Sequence, residues 1–201
     1  PAMPTRRHFE SLFEFSRYSW LGALRERAWI WTDTLVLGFF VSTEFVGVYE
    51  LSWRLSAAFF LVASAISSTL FSNVDLLRRR DGREAVRDVV EESLVYTGIV
   101  AIPGVVGGLV VAESLLSAFG PVYVVGYSAL ILLILARLSH SYEIVFAKVI
   151  NALDRPDLTF RADATFVTLN VVGNVVAIYA FGWVGAAVAT LASMGVRTLL
   201  S

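Results

Sequence analysis

Residues 94–112 read LVYTGIVAIPGVVGGLVVA and contain no charged side chain. A helix of about 20 mostly apolar residues is long enough to cross the hydrocarbon core of a bilayer, so this segment predicts a transmembrane helix. The whole chain has the same character, with 57% hydrophobic residues, 16% charged residues and a mean hydropathy of +0.70. Soluble domains contain about 45–50% apolar and about 25% charged residues. A soluble protein of this composition would expose large apolar patches, and we therefore expect an integral membrane protein.

Further apolar stretches predict an all-α fold, a polytopic transmembrane bundle of about six helices. Residues 1–17 form an N-terminal segment before the first span. Residues 75–92 form the long polar stretch between spans, in which Asp81-Gly82 predicts a turn and the charges beyond it predict a short surface helix. The predicted spans are, in chain order, about 18–40, 46–71, 94–112, 122–148, 162–181 and 183–200.

The arginines predict the orientation of the bundle. Because successive loops alternate sides, one side holds the N-terminal segment, residues 75–92, and the loop with Arg155 and Arg161. The loops at 41–45, 113–121 and 182 contain no lysine or arginine. Short cytoplasmic loops carry the positive excess, so we expect a multi-pass protein of the cytoplasmic membrane with its N-terminus inside.

Composition argues against several classes of function. The net charge is −1 and the chain has no cysteine and only two histidines, His8 and His140. No glycine-rich phosphate loop, metal-ligand cluster or serine–histidine–acid set stands out in the sequence. We therefore expect a protein that is not an enzyme, with no cofactor, no metal and no nucleic-acid partner.

Polar side chains follow one face of each of four predicted helices. Charges inside a span are costly and indicate candidate functional sites, and a shared hydrated interior would satisfy all four faces. At 100° per residue, the faces comprise Arg25, Glu26, Trp29 and Asp33 on the first helix; Glu50, Arg54, Ser64 and Ser68 on the second; Arg137, His140, Ser141 and Lys148 on the fourth; and Asp163, Asn170 and Asn174 on the fifth.

Depth in the first hairpin predicts one ion pair. Asp33 lies about seven residues before the loop at 41–45 and Arg54 about eight residues after it, so we expect the two side chains to be level and within reach. Glu50, one turn from Arg54, is placed to share it. The alternative is that such a pair only neutralises its charges and fixes helix packing.

The fourth and fifth helices leave further alternatives open. Arg137 lies near mid-bilayer with no acidic residue on its own face, which favours a functional role. His140 with Glu143 is compatible with proton transfer or, more simply, with a packing hydrogen bond. Asn170 and Asn174 are typical of interhelical hydrogen bonding rather than of ligand binding.

Three sets of residues together resemble the polysaccharide-biosynthesis flippases, the O-antigen and teichoic-acid exporter branch of the multidrug/oligosaccharidyl-lipid/polysaccharide superfamily. The first set is WTDTLVLGFF at 31–40 with VGVY at 46–49 and Arg54-Leu55, and the second is NALDRP at 151–156. The third is Asn170 and Asn174 with FGWVGAAVAT at 181–190. Asp154 departs from this pattern, because the family often has glycine there.

The resemblance implies one half of a two-bundle transporter, namely the C-terminal bundle, whose partner is the missing N-terminal bundle of the same protein. The implied function is translocation of a polyprenyl- or dolichyl-linked saccharide across the membrane by alternating access, among membrane lipid. Arg25, Arg54 and Arg137 would bind the anionic head group, and Asp33 and Glu50 would couple an ion. Two alternatives stay open: a cation-coupled drug or metabolite exporter of the same superfamily, and a non-transporting membrane scaffold subunit.

Overall fold

The structure is a computed structural model that describes residues 31–71, 74–152 and 156–200, without most of the side chains between 61 and 89. Every regular element in these ranges is helical, which confirms the prediction of an all-α fold. The elements are α1, described over 31–40; α2, Thr43–Phe71; α3, Val74–Ser117; a 3₁₀ turn, Pro121–Gly126; α4, Tyr127–Ala152; α5, Pro156–Phe181; a second 3₁₀ turn, Gly182–Val184; and α6, Gly185–Leu200.

Three stretches of the described chain are long and apolar enough to cross a membrane: Val90–Ser117, Pro121–Ala147 and Asp157–Leu200. The last stretch contains both α5 and α6. Glu44, Glu50 and Arg54 lie in the first half of α2. The prediction of a membrane bundle is confirmed, while the individual span boundaries stay predictions.

Helices α5 and α6 form an antiparallel hairpin that reverses at Gly182. Asn170 contacts Thr190, and Asp163 contacts Arg197, so each step forward along α5 is matched by a step backward along α6. Gly182 has a φ of +64°, a conformation that glycine adopts without steric cost. A short turn of this kind brings the end of α5 into contact with the start of α6.

The contact beside this turn requires a residue without a side chain. A Cβ added at Gly185 would lie 2.0 Å from the carbonyl oxygen of Ala177. Ala186 and Ala187 follow and are completely buried. Small residues allow helix backbones to approach closely in a membrane bundle, which gives the Gly-Ala-Ala part of the 181–190 motif a structural reason.

The interior of the bundle joins several helices through small and branched side chains. One cluster contains Leu37 of α1, Tyr49 of α2, Leu133 of α4 and Ala187 of α6. A second cluster packs α3 on α4 through residues such as Leu116 and Ile134. These contacts position the polar side chains of α1, α2, α5 and α6 around a common interior.

Helix α3 is longer than the span predicted within it. It runs without interruption from Val74 to Ser117, through Asp81-Gly82, where the sequence predicted a turn. At 1.5 Å per residue its 44 residues extend about 66 Å, roughly twice the hydrocarbon thickness. The ion pair between Arg87 and Glu91, 2.7 Å at i,i+4 spacing, supports the helix where its polar part meets the apolar stretch.

Candidate functional site

A buried carboxylate lies where α1, α2, α5 and α6 meet. Asp33 is only 2% exposed. Its Oδ1 accepts hydrogen bonds from the side-chain amides of Asn174 at 2.7 Å and Asn170 at 3.5 Å. Its Oδ2 accepts from the hydroxyls of Thr190, at 2.5 Å, and Tyr49. We call Asp33 and these four donors the Asp33 site.

The Asp33 site contains more acceptor oxygens than its own hydrogen-bond donors satisfy. All four donors are uncharged, and the side-chain oxygens Oδ1 of Asn170 and Oδ1 of Asn174 are buried with no hydrogen-bond partner. Leaving such an acceptor unsatisfied costs about 1–3 kcal/mol. Two amide oxygens, two hydroxyls and one carboxylate are the oxygen ligands that hard cations prefer. The carboxylate and the two orphan amide oxygens are therefore candidate ligands for a small cation.

The chemistry of this ligand set argues for a monovalent cation. Within the described ranges, no group of three or more histidine, cysteine, aspartate or glutamate residues is placed to hold a metal ion. The Asp33 site offers a single carboxylate, Asp33 itself, so it supplies one negative charge. That charge balances one Na⁺ or one proton, whereas divalent cations are usually bound by more than one carboxylate.

The predicted ion pair between Asp33 and Arg54 is wrong. The hairpin places Asp33 opposite Tyr49 rather than opposite Arg54, and the Arg54 side chain is 78% exposed on another face of α2. Arg54 pairs instead with Glu50 at 3.6 Å, so Glu50 does contact this arginine as predicted, but it does not share it with Asp33. The turn of a hairpin sets which residues lie at the same depth. Whether two charges at one depth meet is decided by the helix face on which each side chain lies.

A second, more exposed row of contacts runs beside the Asp33 site. Thr34, the neighbour of Asp33, donates a hydrogen bond to Glu50, the neighbour of Tyr49. Glu50 in turn holds Arg54 through its other carboxylate oxygen. The α1–α2 hairpin thus has two adjacent sets of contacts. The first is the buried hydrogen bond between Tyr49 and Asp33. The second joins Thr34 to Glu50 and Glu50 to the exposed Arg54.

Arg137 lies inside the bundle rather than on an exposed face. It is 8% exposed, its guanidinium stacks 4.2 Å from the ring of Trp53, and its Nε lies 3.5 Å from Ser56 Oγ. Cation–π stacking of this kind stabilises a desolvated arginine. A small cavity lined by Phe60 and Ser141, among others, adjoins it. Arg25 and the side chain of Lys148 lie outside the described residues.

A second buried polar cluster was missed because Arg197 lies near the end of the last predicted span. Arg197 donates to Asp163 through Nε at 3.1 Å and Nη2 at 2.8 Å, and its Nη1 contacts Glu143. His140 Nδ1 lies 3.1 Å from Glu143 Oε2. We call these four residues the Arg197 network. The hairpin geometry was the available signal, since a turn at Gly182 brings 163 opposite 197 just as it brings 170 opposite 190.

Comparison with known proteins agrees with this architecture. Residues 2–120 match the family described as polysaccharide biosynthesis protein. The chain is 43% identical over 201 residues to a protein named probable flippase AglR from Haloferax volcanii. It is 31% identical over 198 residues to a probable low-salt glycan biosynthesis flippase, Agl15, from the same organism.

Coverage in these comparisons is unequal. Each alignment covers 98% of this chain but 42% of the relative, so the chain spans less than half the length of the curated relatives that it matches. No solved structure gives a significant match. The family match covers more than half of the chain and runs from the residues before α1 to just beyond the end of α3. The chain therefore belongs to the polysaccharide biosynthesis protein family.

Proposed function

We propose that this chain forms one helix bundle of a membrane flippase that translocates lipid-linked glycan precursors by alternating access. The observation that carries the proposal is the Asp33 site, a buried carboxylate surrounded by uncharged donors and two orphan amide oxygens. A site of this kind suits an ion that binds and leaves during transport. The two relatives are named as flippases, and one of them as a glycan biosynthesis flippase, which supports the class of cargo.

Arg54 is the best-supported candidate for binding the anionic head group of a polyprenyl- or dolichyl-linked saccharide. Its side chain is exposed on α2, and a guanidinium binds phosphate oxygens with two parallel hydrogen bonds. Glu50 pairs with it at 3.6 Å. Arg137 is packed against Trp53, so we propose that it contributes positive potential near the cargo rather than direct contact. Arg25 stays a proposed ligand from the sequence.

The coupling ion is proposed to bind at Asp33, with Glu50 in a connected role. Thr34, the residue next to Asp33, donates a hydrogen bond to Glu50, so an ion bound at Asp33 would lie close to the pair formed by Glu50 and Arg54. The proposal includes a second, N-terminal bundle of the same protein and an orientation with the N-terminus inside the cytoplasmic membrane. The distribution of arginines and the partial coverage of the relatives support these two statements.

The test is a flipping assay on the full-length protein in liposomes with a fluorescent polyprenyl-pyrophosphate sugar. We expect Arg54→Ala to reduce flipping by about tenfold or more, since a charge-assisted hydrogen bond contributes about 1.5–3 kcal/mol. Arg87→Ala is the matched control, because Arg87 forms the same i,i+4 pair with a glutamate and is equally exposed, but lies on α3 outside the apolar stretch. We expect it to flip normally.

Each alternative function has its own outcome in this assay. Transport of a cationic dye instead of the lipid-linked sugar would identify a drug or metabolite exporter. A folded wild type that moves neither compound would support a scaffold subunit and would contradict the flippase proposal. Equal rates for Arg54→Ala and Arg87→Ala would remove Arg54 from the cargo site.

A further inference from the structure

Asp33 and Arg137 contact the same side of α2 at neighbouring levels. Asp33 accepts a hydrogen bond from Tyr49, and the Arg137 guanidinium stacks 4.2 Å from the centroid of the Trp53 ring. Tyr49 and Trp53 are four residues apart on α2, a spacing that places two side chains on one helix face, about 6 Å apart along the axis. The carboxylate and the guanidinium therefore approach one face of α2 about one turn apart.

Contacts with α2 hold the guanidinium of Arg137 at this level. Its Nε donates to Ser56 Oγ at 3.5 Å, and its Cζ lies 5.8 Å from the centroid of the Phe60 ring. Ser56 is itself fixed, because its hydroxyl donates to the carbonyl oxygen of Trp53 at 2.7 Å. A guanidinium keeps its positive charge inside a protein, so α4 places a fixed cation beside the Asp33 site.

Both charges lie inside the bundle. Asp33 is 2% exposed and Arg137 is 8% exposed. Trp53, on which Arg137 stacks, packs against the apolar cluster that contains Tyr49 and also against the cluster that contains Phe166. Charges buried among such side chains are screened much less than exposed charges. Asp33 accordingly interacts electrostatically with Arg137.

A cation bound at the Asp33 site would meet the field of Arg137. The four donors of the site are uncharged, so a positive charge about one turn away offsets part of the attraction of Asp33. This repulsion is proportional to the charge of the ion, so it acts twice as strongly on a divalent as on a monovalent cation. For a separation of about 10 Å and an effective dielectric constant of about 20, it weakens binding by about tenfold for each unit of charge.

We propose that Arg137 determines the charge selectivity of the Asp33 site, because its field weakens the binding of a monovalent cation and excludes a divalent one. Arg137 acts on the ion through space, without being one of its ligands. This role rests on the cation binding proposed at Asp33. Moderate affinity for a single charge suits an ion that has to leave the site in every transport cycle.

The test is equilibrium binding of radioactive Na⁺ to the full-length protein in detergent, with choline keeping the ionic strength constant. Binding at the Asp33 site is the part that is lost in Asp33→Asn. Arg137→Gln keeps a donor for Ser56 but loses the charge, and we expect it to lower the Kd for Na⁺ by about tenfold. Arg137→Lys keeps a charge at nearly the same place and is the matched control, so its Kd should stay close to that of the wild type.

Displacement of the bound Na⁺ by Ca²⁺, which is similar in size, separates an effect of charge from a change of shape. If Arg137 acts through its charge, Arg137→Gln lowers the inhibition constant of Ca²⁺ by about a hundredfold, the square of its effect on Na⁺. A variant that only reshapes the site has no reason to follow this relation. Equal fold-changes for Na⁺ and Ca²⁺ would overturn the proposal, and so would an unchanged or raised Kd for Na⁺.

Ser56→Asp tests the same charge without removing Arg137. A carboxylate at this position lies next to the guanidinium and offsets its field, so we expect the Kd for Na⁺ to fall, as in Arg137→Gln. Ser56→Asn is similar in size but uncharged, and it should bind Na⁺ like the wild type. This pair decides the question if Arg137→Gln does not fold, since equal Kd values for Ser56→Asp and Ser56→Asn would refute the role of Arg137.

Failure of the cation site itself would look different. If neither the wild type nor Arg137→Gln binds Na⁺ in a way that depends on Asp33, the coupling ion proposed at Asp33 is wrong, and the selectivity proposal is wrong with it. If the wild type binds Na⁺ at Asp33 and Arg137→Gln binds it no more tightly, only the role of Arg137 is refuted. Binding that appears in Arg137→Gln alone, and is lost when Asp33→Asn is added, would support both proposals.

Discussion

Replacing Asp33 separates the structural role of its hydrogen bonds from the role of its charge. In Asp33→Asn, the amide oxygen can keep accepting from Asn174 and Asn170, and the new NH₂ group can face Tyr49 and Thr190. Both hydroxyls can rotate and accept. Each of the four contacts then has a donor and an acceptor, so we expect Asp33→Asn to fold with a stability within about 1–2 kcal/mol of the wild type.

Asp33→Leu has a different expected outcome, although leucine is close to aspartate in size. It leaves the amide donors of Asn170 and Asn174 and the hydroxyls of Tyr49 and Thr190 inside the bundle without their acceptor. At about 1–3 kcal/mol for each unsatisfied group, the loss is several kcal/mol. Such a loss is comparable to the whole stability of many proteins, so we expect poor expression or a strongly lowered Tm.

The charge itself is tested by the cation dependence of thermal unfolding in detergent, at constant ionic strength. Replacing the choline in the buffer by Na⁺ should raise the Tm of the wild type. A ligand at 100 times its Kd stabilises the folded state by about 2.7 kcal/mol. Asp33→Asn should fold but show no increase. An equal increase in both proteins would place the cation elsewhere. A wild type that responds to neither Na⁺ nor pH would refute the cation site.

Three further variants test the packing around the two clusters. Gly185→Ala should lower the Tm, because its Cβ would lie 2.0 Å from the Ala177 carbonyl oxygen and overpacking costs about 1–3 kcal/mol. Gly195→Ala, with open space on the same helix, is the control and should leave the Tm unchanged. Equal Tm values for the two variants would refute the contact. Arg197→Met should cost about 3–5 kcal/mol, as for one partner of a buried ion pair, measured by denaturant or thermal unfolding; a loss below about 1 kcal/mol would mean that the network contributes little to stability. Trp53→Leu should lower the Tm by removing the ring under Arg137, and Trp183→Leu, a partly buried tryptophan elsewhere in the bundle, is its control.

Much of the fold could be predicted from apolar length and loop charge, because both are local properties of the sequence. The all-α membrane bundle follows from them, and Asp33 stands out in the sequence as a charge inside a predicted span. Asn170 and Asn174 do form interhelical hydrogen bonds, as predicted, and their side-chain oxygens are the orphan oxygens of the proposed cation site. Tyr49 and Thr190 were missed as ligands although both lie in quoted motifs. An uncharged side chain in an apolar span gives no local signal that it faces a carboxylate on another helix.

The two errors about arginine have a common physical origin. Arg54 was assigned to Asp33 by depth alone, and Arg197 was overlooked because its depth placed it near a span end. Depth is one coordinate, and the helix face is the second. In a hairpin with a known turn both coordinates can be used together: the turn at Gly182 pairs 170 with 190, and the same register pairs 163 with 197 two turns further along. If the contact between residues 170 and 190 had been inferred from the polar face of α5, the contact between residues 163 and 197 would have followed from the same register. That second contact would have revealed the carboxylates that compensate Arg197 and the histidine beside them.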